Sequence, residues 1–92
     1  MKKYRQKIAV VHEILTMLKD NPINISGIAR KAHLSSGCAR EFVNLLEVRH
    51  CIDLVPSNKK ELGNGNYKIN ERGLEFLWVI EDLKSKLFFI FE

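Results

Sequence analysis

The sequence predicts one mainly helical domain with a small β-hairpin, an α+β fold in the order α-β-α-α-β-β-α that ends in a long helix. Three observations lead there. Apolar residues recur about every 3.6 residues near the start of the chain, over 35–48 and again over 70–91. Two short alternating runs, at 52–55 and 67–69, face each other across a segment rich in Gly and Asn. A Ser or Asn stands where each of the later helices must begin. With 92 residues of which 46% are hydrophobic, the chain can bury one modest core. That excludes both a two-domain enzyme with a deep cleft and a disordered polycation.

Taken in order, Tyr4, Ile8, Val11, Leu15 and Leu18, widened by Ile14 and Met17, form the apolar stripe of a helix over about 3–19. Asn21-Pro22 ends it, because the residue before proline is pushed out of the α region. Ile23 and Ile25 flank Asn24 as in a very short strand, and Ser26 is placed to cap a helix over Gly27 to Ala32. After His33-Leu34, Ser35 is placed to cap a third helix reaching about Val48. On a wheel of about 100° per residue, Cys38, Ala39, Phe42, Val43, Leu45 and Leu46 fill one arc of it. Ser36, Gly37, Arg40, Glu41, Asn44 and Glu47 fill the opposite arc, so one face is expected in the core and the other free for a partner. Ile52 and Leu54 then alternate with Asp53 and Val55 in a strand closed by Pro56, and Tyr67 and Ile69 flank Lys68 in its partner. Residues 57–66, with Lys59 and Lys60 and the run Gly63-Asn64-Gly65-Asn66, read as a long hairpin tip. Asn70 is placed to cap the last helix, and Glu71 suits its positive dipole end.

The net charge of +4 is unevenly spread. Residues 1–40 carry eight Lys/Arg and two Asp/Glu, giving +6; residues 41–92 carry seven and nine, giving −2. A basic part suited to a polyanion is joined to a mildly acidic part suited to protein, although ordinary surface charge can also segregate this way. Cys38 and Cys51 are too few for the disulfide framework of a small secreted domain. Charge at His12 and Glu13 interrupts the stretch after the basic N-terminal run, and no apolar run approaches the ~20 residues of a membrane span. The expectation is a soluble cytoplasmic domain with no membrane association. Cys38, Cys51, His33 and His50 lack the C-x₂₋₄-C spacing of a zinc site, so no metal is expected. No phosphate loop, nucleophile elbow or paired carboxylates mark an enzyme, a cofactor or a small-molecule substrate. His12 has no partner in the sequence and is expected at the surface or its boundary.

Two short helices joined by a tight turn, the second with an exposed polar face, make a helix-turn-helix; a following two-stranded ribbon makes it winged. Here the chain resembles a known group. The run Ser26-Gly27-Ile28-Ala29-Arg30-Lys31-Ala32-His33-Leu34-Ser35 is similar to its helix-turn-helix core. Leu45-Leu46-Glu47 with Cys51-Ile52 is similar to the exit into the wing. The stretch Tyr67-Lys68-Ile69-Asn70-Glu71-Arg72-Gly73-Leu74-Glu75-Phe76-Leu77 is similar to the return from wing to last helix. The chain most resembles small archaeal winged-helix DNA-binding proteins that dimerise through a C-terminal coiled-coil helix. His33 and His50 depart from the group, which often has Gly or another residue tolerant of positive φ at these places; histidine visits that region more readily than most.

The resemblance implies that the helix over about 35–48 enters a major groove of double-stranded DNA while the wing over about 57–66 meets backbone or minor groove. The chemistry is compatible. Ser35, Ser36 and Gly37 begin the helix, where free N–H groups attract a phosphate. Arg40 suits a guanine edge and Asn44 an adenine edge. Glu41 and Glu47 repel phosphate, which points to modest affinity. Arg30 and Lys31, Lys59 and Lys60, and Lys2, Lys3 and Arg5 are the expected phosphate contacts.

In the last helix Phe76, Ile80, Leu83, Leu87 and Ile90 follow the 4-3-4-3 spacing of a short coiled-coil seam. Such a stripe can also pack on its own domain, but Phe88 and Phe91, with Leu77, Trp78, Val79 and Phe89, add apolar surface beyond one small core. Homodimerisation through this helix is expected; Glu81, Asp82, Lys84 and Lys86 disfavour an interfacial membrane helix. Residues 1–69 thus form the DNA-binding unit and 70–92 the dimerisation helix of the same body. The expected function is a dimeric, double-stranded-DNA-binding transcription regulator or small architectural protein, nucleoid-associated if so. The rival is a winged helix that contacts only protein within a larger assembly.

Overall fold

Proline at position 22 stops the first helix, α1 (Lys2–Asp20), and among the described residues Asn24, His33, His50 and Asn70 set later changes of chain direction. The computed structural model describes the backbone of residues 2–55 and 65–91, and side chains over 7–55 and 65–86. After α1 come α2 (Ile25–Lys31), α3 (Ser36–Val48), β1 (Ile52–Val55), β2 (Asn66–Ile69) and α4 (Glu71–Phe91). The mainly helical α+β architecture is therefore as expected. β1 and β2 pair antiparallel, with Ile52 opposite Ile69 and Val55 opposite Asn66. The short first strand reduces to one bridge: Ile23 and Tyr67 exchange both backbone hydrogen bonds, at 3.0 and 2.8 Å.

The second helix departs from expectation at its start. Asn24, not Ser26, is its cap, with Oδ1 accepting from the Gly27 N–H at 2.8 Å, and Ile25 is already helical. The bridge at Ile23 delivers the chain in extended conformation directly to Asn24, a residue that caps as well as serine. Gly27 lets the first turn close over that cap, since a Cβ there would lie 2.6 Å from Ile23 Cγ2.

The core joins Val11, Ile14, Leu15 and Leu18 of α1 to Ile28 and Ala29, to Ala39, Val43 and Leu46, to Cys51 and Ile52, and to Leu77 and Ile80 of α4. Each large aliphatic side chain so buried contributes on the order of 1.5–3 kcal/mol. Three sequence expectations are corrected here. Leu45, assigned to the buried arc of α3, is 46% exposed, because it lines an open groove between α3 and α4. Ile8, in the stripe of α1, is likewise largely exposed. Cys38 is half-buried, whereas Cys51 is buried.

Both helices of the helix-turn-helix end in the same device. His33 follows the C-cap of α2 at φ 56°, and His50 follows that of α3 at φ 61°. The His33 and Leu34 N–H groups donate to the carbonyls of Arg30 and Ala29; those of His50 and Cys51 donate to Glu47 and Leu46. These paired bonds are Schellman motifs, which require a left-handed residue at the position each histidine occupies.

Asn70 joins the ends of three elements. Its Oδ1 accepts from the Gly73 N–H at 2.9 Å and caps α4, as expected. Its Nδ2 donates to the His50 carbonyl at 2.8 Å and to Asp53 Oδ2 at 3.3 Å, and its N–H donates to the Cys51 carbonyl at 3.2 Å. Gly73 completes the joint, since a Cβ there would fall 2.2 Å from the Cys51 carbonyl oxygen.

Two stability predictions follow from these geometries. A left-handed residue other than glycine costs about 1–2 kcal/mol, part of which glycine gives back through the entropy of its unfolded state. His33→Gly and His50→Gly are each expected to raise stability by about 0.5–1 kcal/mol in urea unfolding, and His33→Val to lower it. Asn70→Ala is expected to cost about 1–2 kcal/mol. Asn70→Asp should recover only the capping part, because it loses the Nδ2 donor and sets a second carboxylate beside Asp53.

Candidate nucleic-acid interface

The exposed face of α3 is a direct consequence of its buried one. Ala39, Val43 and Leu46 anchor the helix on α1 and α2, which turns Ser36, Gly37, Arg40, Glu41 and Asn44 outward; all five are exposed. Glu47, at the edge of this face, is half-buried. Ser35 caps the helix as expected, its Oγ accepting from the Cys38 N–H at 3.1 Å. The geometry of an α-helix leaves the first-turn N–H groups without intrahelical acceptors. With that of Cys38 taken by Ser35, those of Ser36 and Gly37 point out from the positive end of the helix. No atom lies within 4 Å of where a Gly37 Cβ would stand, so the fold itself does not demand glycine there.

Arg30 and Lys31 lie in the last turn of α2 and are both exposed. They share the α2–turn–α3 unit with Arg40 and Asn44. Lys59 and Lys60 lie outside the described residues, as do the side chains of Lys2, Lys3 and Arg5.

Two residues at this surface escaped sequence reading. Lys68 is exposed on β2, in register with Asp53, and adds a cation to the wing. Tyr67 is half-buried and packs against the core. Burial, then the Glu47 carboxylate, hold its phenol above the usual range, while the Arg40 guanidinium opposes them. Its side chain thus stands within the field of two residues on the outer edge of α3, while its backbone is paired to Ile23. Strand alternation placed Tyr67 and Lys68 on opposite faces; it carried no information about which face meets α3.

A second surface lies on α4. Phe76 and Leu83 of the expected seam are largely exposed, and Val79, 50% exposed, falls between them. Ile80 is corrected: at 6% exposure it belongs to the core, since the side of α4 carrying Gly73, Leu77 and Ile80 faces inward. Trp78 is 66% exposed on another side of the helix. The side chains of Leu87, Phe88, Ile90 and Phe91 lie outside the described residues. His12, without a partner in the sequence, meets Glu81 at 3.2 Å and ties α1 to α4.

Among the described residues no three potential metal ligands gather, and no helix is long and apolar enough to cross a membrane. No curated protein matches the chain. A family model described as winged helix-turn-helix does, over residues 4–88, the span that holds α2, the histidine turn, α3, the wing and most of α4. The chain belongs to the winged helix-turn-helix family.

Proposed function

We propose that the protein binds double-stranded DNA with α3 in the major groove and acts as a dimer joined through α4. The family is in general a DNA-binding one. The observation that carries the reading is the outer face of α3, where Gly37, Arg40 and Asn44 are exposed together, with Arg30 and Lys31 exposed in the last turn of the preceding helix. Ser35, Ser36 and Gly37 receive a phosphate at the helix start; Arg40 and Asn44 reach base edges. Arg30, Lys31, Lys59, Lys60 and Lys68 take phosphates, joined by Lys2, Lys3 and Arg5 at the N-terminal end. Regulator and architectural protein share this surface and differ in their ratio of specific to non-specific affinity.

The exposed Phe76, Val79 and Leu83 support pairing through α4, with Leu87, Phe88, Ile90 and Phe91 continuing the apolar composition in the sequence. A patch of this kind on a small domain marks an interface.

Duplex binding measured across a salt series tests the first reading. With about six to eight phosphate contacts per protomer, each protomer's share of the affinity is expected to fall by roughly 10³–10⁴ between 50 and 200 mM salt, and a dimer using both sets by about the square of that. Arg40→Ala should cost about 1–3 kcal/mol on the preferred sequence and flatten discrimination at one base pair. Lys59→Ala/Lys60→Ala should weaken all duplexes alike and lower the salt slope. Gly37→Ala is a sharper probe. It should leave the fold intact or stabilise it by about 1 kcal/mol, through helix propensity, yet weaken DNA binding if a phosphate approaches that backbone. Absence of salt-dependent binding to any duplex would assign the α3 face to a protein partner instead.

Sedimentation equilibrium tests the second reading. The parent protein is expected to be a dimer at concentrations on the order of tens of micromolar, and Phe76→Glu or Leu83→Glu to be monomers that still fold. A parent that stays monomeric sinks the dimer.

A further inference from the structure

Between the C-terminal end of α3 and the first half of α4 lies a groove of about 570 Å³. Val11, Leu45, Phe76 and Val79 form its apolar walls, and the buried Cys51 contributes to its floor. The volume is in the range of sites that hold small organic molecules, which are typically apolar with a few convergent polar groups.

The polar groups here are unusual for an interior wall. Arg49, from the C-cap of α3, and Arg72, from the first turn of α4, both line the groove, with Glu75 as the acidic residue beside them. Both guanidinium groups are exposed, and among the described residues neither has a carboxylate within ion-pair distance. Both line the groove alongside Cys51, whose thiol burial pushes up while Arg72 and then Arg49 oppose the shift. Two cations set against one acid leave room for a single negative charge. A purely apolar occupant would cover the walls and leave both guanidinium groups unanswered.

We propose that this groove binds a small amphipathic carboxylate, its hydrocarbon or aromatic body against Leu45, Phe76 and Val79 and its carboxylate held by Arg49 and Arg72. A planar guanidinium fork suits a carboxylate geometrically, and the charge assists the bond. The groove takes no part in the DNA contact, but Phe76 and Val79 also belong to the α4 face proposed for pairing, so a ligand here and a second copy exclude one another. Its two cations come from different elements, whose junction is fixed by Asn70 and by the close approach of Gly73 to the Cys51 carbonyl. A ligand there spans the exit of α3 and the start of α4.

The test is titration calorimetry of the whole chain with 1-naphthoate, with decanoate as a second carboxylate and 1-naphthalenemethanol as the uncharged counterpart. Saturable binding of both carboxylates is expected, with the alcohol weaker by about tenfold or more. Arg49→Gln and Arg72→Gln should each erase most of that preference, and Val79→Trp should abolish binding by filling the groove. All three positions are exposed, and circular dichroism checks that each variant is folded. Equal affinity for acid and alcohol, or carboxylate binding unmoved by either arginine change, would overturn the proposal. So would the absence of saturable binding into the low millimolar range. Because a second copy would cover the same walls, saturating 1-naphthoate is expected to shift sedimentation toward the monomer, and carboxylate binding that leaves a dimer intact would place the ligand elsewhere and overturn the proposal.

Discussion

One asparagine holds the working parts of this domain in register. Asn70 caps α4 through its Oδ1, ties down the exit of α3 through the His50 carbonyl, touches Asp53 at the start of the wing and donates its own N–H to the Cys51 carbonyl. Each such bond contributes only about 0.5–1.5 kcal/mol net. Their value lies in what they exclude, since they act between segments far apart in sequence and fix the angles at which α3, the hairpin and α4 leave one point. Gly73 makes the joint possible, because any side chain there would drive α4 off the Cys51 carbonyl. The outer face of α3 therefore has a defined relation to both the wing and the long helix.

The same economy governs the helix ends. A helix-turn-helix needs its first helix to stop abruptly and its chain to reverse within a few residues. Glycine is the usual solution, because it has no Cβ to clash in the left-handed region. This chain uses histidine at both places, accepting the strain of φ 56° and 61° and retaining a side chain at each turn. The Schellman bonds and the packing of Leu34 and Cys51 beneath them hold the strained residues in place. Both turns lie on the surface, so the histidine rings project from the edges of the α2–α3 unit rather than into the core.

What could be read from the sequence follows the range of the interactions. The helices, the capping roles of Ser35 and Asn70, the backbone demand at His33 and His50, and the outward set Ser36, Gly37, Arg40, Asn44 were all legible. Each depends on neighbours within a turn or two. The start of α2 was misplaced because two good capping residues, Asn24 and Ser26, compete there. What decides between them is a bridge to Tyr67, more than 40 residues away. Leu45 and Ile80 went wrong for a related reason. Periodicity gives the direction of a residue around its own helix but not the line along which another helix crosses it. α4 packs along α1, which buries Ile80, while a groove separates Leu45 from Phe76 and Val79. Arg49 and Arg72 were invisible as a pair, since nothing local relates a C-cap to the first turn of a helix beyond the wing.

On the proposed reading, the rigidity of the joint bears on how a domain with few cations on its DNA-facing helix can hold DNA well. Glu41 and Glu47 flank Arg40 on α3, and much of the net positive charge lies before residue 41. A single protomer therefore gains little electrostatic attraction from the helix itself. The proposed pairing of two protomers would change this, because the second binding event becomes intramolecular and draws on effective concentration rather than on new contacts. That gain is lost if the two reading helices cannot meet their half-sites together, so it depends on a fixed geometry from one α3 through both α4 helices to the other. Within a protomer that path runs from the core face of α3 through Cys51 and Asn70 to Gly73, with Leu77 and Ile80 fastening α4 to α1 and the His12–Glu81 contact reinforcing it. The path includes no long linker. On the proposed reading, spacing between half-sites is a property of the fold, and the acidic half of the chain serves DNA binding by holding the basic half in position.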